Sequence, residues 1–416
     1  MSDRPMVTAA GDAAPAAGIG APEIVRRIQY GVLLGTAAFY SAGYAAVGLV
    51  AMLAALVAEA IVTRRLPWRR SALDPYLGAF VGGFVLSGLL STYRSVAIGS
   101  AVLAALSIYV SYGPLYRATS DDQRFLIPYL WTWYIGGVLA AGVAIVLFVV
   151  QHAAQATLPA LGPNGLGSTL LVALILGGGM VLTTRSLLRY AAGIGVLVVA
   201  IALAFTTSRG AWLGAASGLL ALLLLSWRRL WRVFLAAGVV IVVSLALMGP
   251  EAAVLKKKVV SIVSIHKNEG RVFLARSALA IAADHPLVGS GLNTFVLLHP
   301  HPSLAGERFA KKPAARATPY AHNVLLNMAA EGGLLGLGAF MAMLIRGGVA
   351  GWRWYAASSG PDRAACAAVL AAFLGLLVHQ QFDGTVLSVH IGAGLWFLLA
   401  IMMVNEARVR RVRSVR

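Results

Sequence analysis

Three short polar stretches interrupt an otherwise apolar chain, and their residue types suit a transfer reaction with an anionic leaving group. The first is Thr207-Ser208-Arg209-Gly210, at the start of an apolar run. Ser208 suits a helix N-cap. A helix beginning there directs its free N–H groups and positive dipole end the same way as a permanently charged guanidinium, which makes a site for a phosphate. The plainer reading is an arginine reaching for lipid headgroups. The second stretch is Thr318-Pro319-Tyr320-Ala321-His322-Asn323. Thr318 is predicted to cap a helix whose first position is Pro319, which places His322 in the first turn, level with Arg209. There it can take a proton from a hydroxyl or act only as a structural hydrogen-bonding group. In the third, Asn323, Asn327 and Glu331 recur every four residues on one helix face. A carboxyl inside a membrane span is costly and faces a polar interior, so this face is expected to line a cavity; hydrogen bonding between helices is the competing reading.

These residues need elements to hold them, and composition decides which. The chain has 416 residues, 59% of them hydrophobic and only 12% charged. A soluble domain carries about 25% charged residues, so this chain cannot cover a water-facing surface. Disordered, collagen-like and disulfide-rich classes are excluded as well, the last because Cys366 is the one cysteine. The reading is an all-α polytopic membrane protein. Residues 1–23 form a disordered cytoplasmic tail with no signal-peptide pattern. Residues 24–249 hold nine spans, near 24–41, 43–63, 73–93, 96–116, 126–151, 168–184, 189–206, 209–226 and 230–249. Residues 250–319 are a periplasmic loop domain without a segment long enough to cross. Spans near 320–345, 364–381 and 385–405 make twelve, and 406–416 is a basic cytoplasmic tail.

Lysine and arginine placement sets the orientation. With a cytoplasmic N-terminus, the short loops divide their basic residues 22 inside to 2 outside. The two outside are Arg94 and Arg209, which run against the topology signal and are therefore assigned work at the site. The long loop is exempt from the rule. It carries ten basic residues, which suit lipid headgroups or an anionic substrate. Within it Gly270–Asp284 is predicted to be a helix bearing Arg271 and Arg276, with Val272 and Leu279 toward a membrane surface. It ends at Asp284-His285-Pro286, and Gly289-Ser290-Gly291 permits a tight turn. Asp383 is expected in a short outside turn, as a second base or an arginine partner. His299 and His301 lack a supporting ligand cluster, so no metal is expected. No phosphate-binding P-loop is present.

Together these residues resemble the O-antigen ligase and polymerase superfamily of bacterial inner-membrane glycosyltransferases. The match runs through Thr207-Ser208-Arg209-Gly210-Ala211-Trp212-Leu213-Gly214. It continues through Gly270-Arg271 to Pro286-Leu287-Val288-Gly289-Ser290-Gly291-Leu292-Asn293, and through His322-Asn323-Val324-Leu325-Leu326-Asn327 to Glu331-Gly332-Gly333-Leu334-Leu335-Gly336. The resemblance implies a metal- and cofactor-independent, inverting enzyme of GT-C-like architecture in the Gram-negative inner membrane. It would move glycan from undecaprenyl pyrophosphate to the lipid A-core in lipopolysaccharide biosynthesis, facing the periplasm, with membrane lipids and no nucleic acid as further partners. Polymerase and protein-glycosylating branches share the pattern. The family's arginines fall on Arg209 and Arg271 and its loop-end histidine on His322, the catalytic set. Arg94, Arg276, Ser208, Asn323, Asn327, Glu331 and Asp383 are assigned to substrate binding. A flippase or transporter is the competing class, expected to show broken helices or internal repeats, and no repeat is visible. A non-catalytic scaffold would not need Arg209 and His322 at one level.

Overall fold

The computed structural model describes residues 21–185, 187–227, 269–307, 310–311, 320–384 and 389–415. Among them are helices and turns and no strand. The helices are α1 (Ala21–Tyr40), α2 (Ala45–Thr63), α3 (Asp74–Leu90), α4 (Arg94–Asp121), α5 (Leu126–Val150), α6 (Pro163–Thr183), α7 (Leu187–Phe205), α8 (Arg209–Leu225), α9 (Glu269–Asp284), α10 (Phe295–Leu298), α11 (Val324–Ala357), α12 (Gly360–His379) and α13 (Val389–Val415).

Eight of these are long and apolar enough to cross a membrane, fewer than the twelve expected. Helices α3 and α8 have the composition but only 17 residues each, and α1 opens with Glu23, Arg26 and Arg27. The expected span at 230–249 lies outside the described residues. Outward faces are apolar, with Ile61, Leu139, Leu187 and Ile194 well exposed, as a multi-pass membrane protein requires.

Local sequence explains most boundaries. The first apolar block breaks after Tyr40, where Gly43 takes φ +82° and lets α2 fold back on α1. Inside, Tyr40, Trp133 and Phe397 pack edge to face, with centroids 5.3–6.2 Å apart. Helix α12 lies against both α6 and α8. The α8 contact uses Gly210, Gly214 and Gly218, spaced by four. A β-carbon on Gly214 would stand 2.6 Å from the Gly375 carbonyl, so only glycine allows this approach.

Two expected ends differ. The segment 406–416 was expected to be a tail, yet α13 continues to Val415 because Glu406 is buried and takes ion pairs from Arg346, Arg353 and Arg410. Helix α11 runs on to Ala357, well past 345, but is broken at Gly333 (φ +60°, ψ −160°).

The loop after α9 fills that break. Ser290 and Gly291 donate their N–H groups to the Ala330 and Glu331 carbonyls, each at 2.9 Å. Leu334 and Leu335 donate theirs to the Pro286 and Leu287 carbonyls at 2.8 and 3.1 Å. The backbone groups that a helix break would orphan inside a membrane protein are thus satisfied by the loop. A β-carbon on Gly289 would stand 2.3 Å from the Glu331 carbonyl carbon, and one on Gly333 2.5 Å from the Gly289 nitrogen. From α3, Ser87 Oγ donates to the Glu331 carbonyl at 2.8 Å and Ser91 Oγ to the Ser290 carbonyl. The loop, α3 and α11 form one joint.

Candidate active site

The N-termini of α4, α8 and α11, the C-termini of α3 and α12, and helices α9 and α10 gather at one end of the bundle. Between α8, α9, the start of α11 and the turn after α12 lies a cavity of about 280 Å³. Arg209, Arg271, His322 and Asn323 line it beside Leu213, Val272, Leu326 and Phe382. Three residues from separate stretches of sequence therefore meet as expected: two guanidiniums and one imidazole.

Arg209 is the first residue of α8. Ser208 caps that helix, its Oγ accepting from the Ala211 N–H at 3.4 Å and donating to Asn164 Oδ1 at 2.8 Å. Ser208 thus holds the helix start and does not line the cavity. Arg271 is half-buried on α9, which lies on α11 through Leu274, Ala278 and Ile281. Val272 and Leu279 are on its exposed side. Burial, then the positive charge of Arg209, pull the Arg271 pKa down, while Asp383 acts the other way. Two cations held within electrostatic reach repel each other unless an anion sits between them.

His322 was expected in the first turn of a helix. Instead α11 begins at Val324 and its cap is Asn323, whose Oδ1 accepts from the Leu326 N–H at 3.0 Å; Thr318 and Pro319 lie outside the described residues. The cause is a long-range contact. Asn323 Nδ2 donates to the Gln381 carbonyl at 3.2 Å and the Val324 N–H to the Gln380 carbonyl at 2.9 Å, so the turn after α12 fixes where α11 starts. His322 is left just outside the helix at φ +52°, a left-handed conformation that costs a non-glycine residue on the order of 1–3 kcal/mol. Thr207, two residues before Arg209, shares it at φ +52°.

Asp383 follows the turn after α12 and is buried. It is 1% exposed, and its Oδ1 lies 3.6 Å from His322 Nδ1. Tyr320 stands beside it, its phenol pKa raised first by burial and then by this carboxylate. Sequence reading missed His379, which is fully buried behind the cavity and under electrostatic influence of Asp383 and Arg271. Its only signal is a spacing of four from Asp383.

Other expected site residues are occupied elsewhere. Glu331 is buried, its Oε1 accepting from the Phe295 N–H at 2.9 Å and its Oε2 from Asn327 Nδ2 at 2.9 Å. Asn327 Oδ1 accepts from the Ala321 N–H at 3.1 Å. Asn327 and Glu331 therefore look into the 293–295 loop and the Ala321 backbone, and of the three residues on this face Asn323 lines the cavity. Arg276 pairs with Glu307 at 2.7 Å on the exposed side of α9. Arg94 is exposed at the first residue of α4 and does not line the cavity. Among the described residues, no three His, Cys, Asp or Glu side chains cluster to hold a metal ion.

No curated protein matches the chain. Residues 194–341, about a third of it, match the family model described as O-Antigen ligase. That stretch begins within α7, contains Arg209, Arg271 and His322 together with the joint between loop and α11, and ends before Asp383. Over these residues the chain is similar to the O-antigen ligase family.

Proposed function

We propose that this protein is a ligase of the bacterial inner membrane that moves glycan from undecaprenyl pyrophosphate to a sugar of the lipid A-core on the periplasmic face. The observation that carries the reading is the meeting of Arg209, Arg271 and His322 in one cavity. The acceptor O–H gives its proton to His322 as its oxygen attacks the anomeric carbon. The bond from that carbon to the phosphate oxygen breaks, and its electron pair leaves with the diphosphate. Arg209 and Arg271 bind the charge that develops there, which is where fixed cations lower a barrier most. Direct attack inverts the anomeric centre. With Nδ1 turned to Asp383, Nε2 of His322 is the nitrogen available to the acceptor. The 3.6 Å separation is beyond hydrogen-bond length, and catalytic contacts commonly shorten once substrate is bound. The cations supply charge that a metal would otherwise provide.

The test is transfer in vesicles containing an undecaprenyl-pyrophosphate-linked glycan and purified lipid A-core. Glycan appearing on the lipid A-core supports the ligase reading. Growth of the lipid-linked glycan alone identifies a polymerase, and transfer to protein identifies the protein-glycosylating branch. Movement of intact donor across the bilayer without transfer makes the protein a flippase and removes the enzymatic reading.

A further inference from the structure

His379 ends α12, is fully buried, and has no part in the steps above. Its Nδ1 lies 3.3 Å from Gln380 Nε2, a donor, so the neutral ring carries its proton on Nε2. That Nε2 has no hydrogen-bond partner among the described residues. Four residues on, Asp383 is equally buried; the Tyr320 hydroxyl stands against it, and among the described residues no further donor meets its oxygens in hydrogen-bond geometry. Buried polar groups are nearly always paired, so a buried donor left open within electrostatic reach of a buried carboxylate calls for an explanation. His379 is also held tightly. Helix α8 lies directly on it: a β-carbon on Gly214 would stand 2.9 Å from the His379 Cβ, and one on Gly210 3.7 Å from its Cδ2. Gly210 follows Arg209, so the ring is wedged beneath the start of the helix that presents that arginine.

We propose that His379 is a further positioning residue of the transfer, sharing Asp383 with His322. This rests on the reading of the cavity as a glycosyl-transfer centre. When the acceptor proton moves to Nε2 of His322, that ring becomes a cation, and Asp383 must be ionised and aimed at its Nδ1. A neutral N–H donor that closes on the carboxylate during the transfer secures both conditions, because hydrogen bonding to the charged form favours it. It does so without adding a third cation beside Arg209 and Arg271.

The experiment compares His379→Met and His379→Gln with the unaltered protein in vesicles loaded with undecaprenyl-pyrophosphate-linked glycan and lipid A-core, at matched insertion. Methionine fills a similar volume without a donor; glutamine keeps an amide N–H. The expected result is a fall in kcat of about 10- to 100-fold for His379→Met, the scale seen when a supporting hydrogen bond behind a reacting group is lost, with donor KM unchanged. His379→Gln recovers most of the rate. Normal kcat in His379→Met, while the unaltered protein is active, overturns the inference and leaves the transfer reading standing. Equal losses in both variants with a lowered melting temperature also overturn it, because the ring is then needed only for packing. Failure of the unaltered protein to transfer glycan removes the transfer reading and this inference with it.

Discussion

His322 Nδ1 and Asp383 Oδ1 face each other at 3.6 Å, one residue standing just ahead of α11 and the other just past α12. The two segments are also tied by backbone, through Val324 to Gln380. His322→Ala is therefore expected to lower transfer by about 10²–10⁴-fold, the usual worth of a positioned base, while donor binding persists. Asp383→Asn keeps the shape and removes the charge, so it lowers kcat and leaves donor KM alone. His322→Gln at nearly full rate would make the residue an acceptor-orienting group; normal transfer in His322→Ala at matched expression would make it structural.

The cations separate from the base by what they bind. Arg209→Ala should lower transfer by about 10²–10³-fold, the loss typical of one donor to a developing anion, and should weaken donor binding as well. Arg209→Lys restores little, because an ammonium cannot grip phosphate oxygens as a fork. Arg271→Ala behaves alike. Titration of vesicles with lipid-linked donor reads this directly, and full activity in Arg209→Ala would assign the residue to headgroups.

Chelation tests whether guanidiniums are sufficient. Activity is expected to survive EDTA. Loss on chelation with strict recovery in Mg²⁺ or Mn²⁺ would count against two arginines as the whole diphosphate clamp.

Topology can be checked without any substrate. A reporter fused after Lys267 is expected to read periplasmic, from the 22-to-2 division of basic residues among the short loops. A cytoplasmic reading would put the cavity on the wrong face for a periplasmic acceptor.

The joint between loop and α11 makes a prediction about stability. Gly333→Ala places a β-carbon against backbone in a left-handed residue and should cost more than about 3 kcal/mol, seen as loss of folded protein after detergent extraction. Ser87→Ala removes one buried hydrogen bond, worth about 1 kcal/mol, and should leave an inserted protein with a lower melting temperature. An unchanged melting temperature in both variants would mean that the joint does not hold the fold.

Short-range chemistry made much of this legible from residues alone. The Ser208 cap, the end of α9 before His285-Pro286, the turn with Gly289 at φ +71° and Gly291 at φ +110°, and the break after Tyr40 all follow from side chains near the boundary. What escaped depends on distant partners. Thr318 reads as a better cap than Asn323 until the 380–381 turn is brought against Asn323. Glu331-Gly332-Gly333 reads as continuous helix because the loop that replaces its hydrogen bonds lies far upstream. Asp383 is read only as part of a short outside turn, and His379 is passed over, because their burial comes from tertiary packing, for His379 that of α8 on α12. Glu406 is read as part of a basic tail because its partners Arg346 and Arg353 belong to another helix.

The filled break in α11 also bears on how such a protein can diversify. Residues 286–291 and 330–335 supply one another's backbone partners, so they are inherited as one unit and a crossover falling between them leaves each half with unmatched amides. Changes are better tolerated in stretches that carry no share of this splice, such as residues 299–307. A chimera that swaps those residues keeps its helices; one that swaps the glycine turn alone does not.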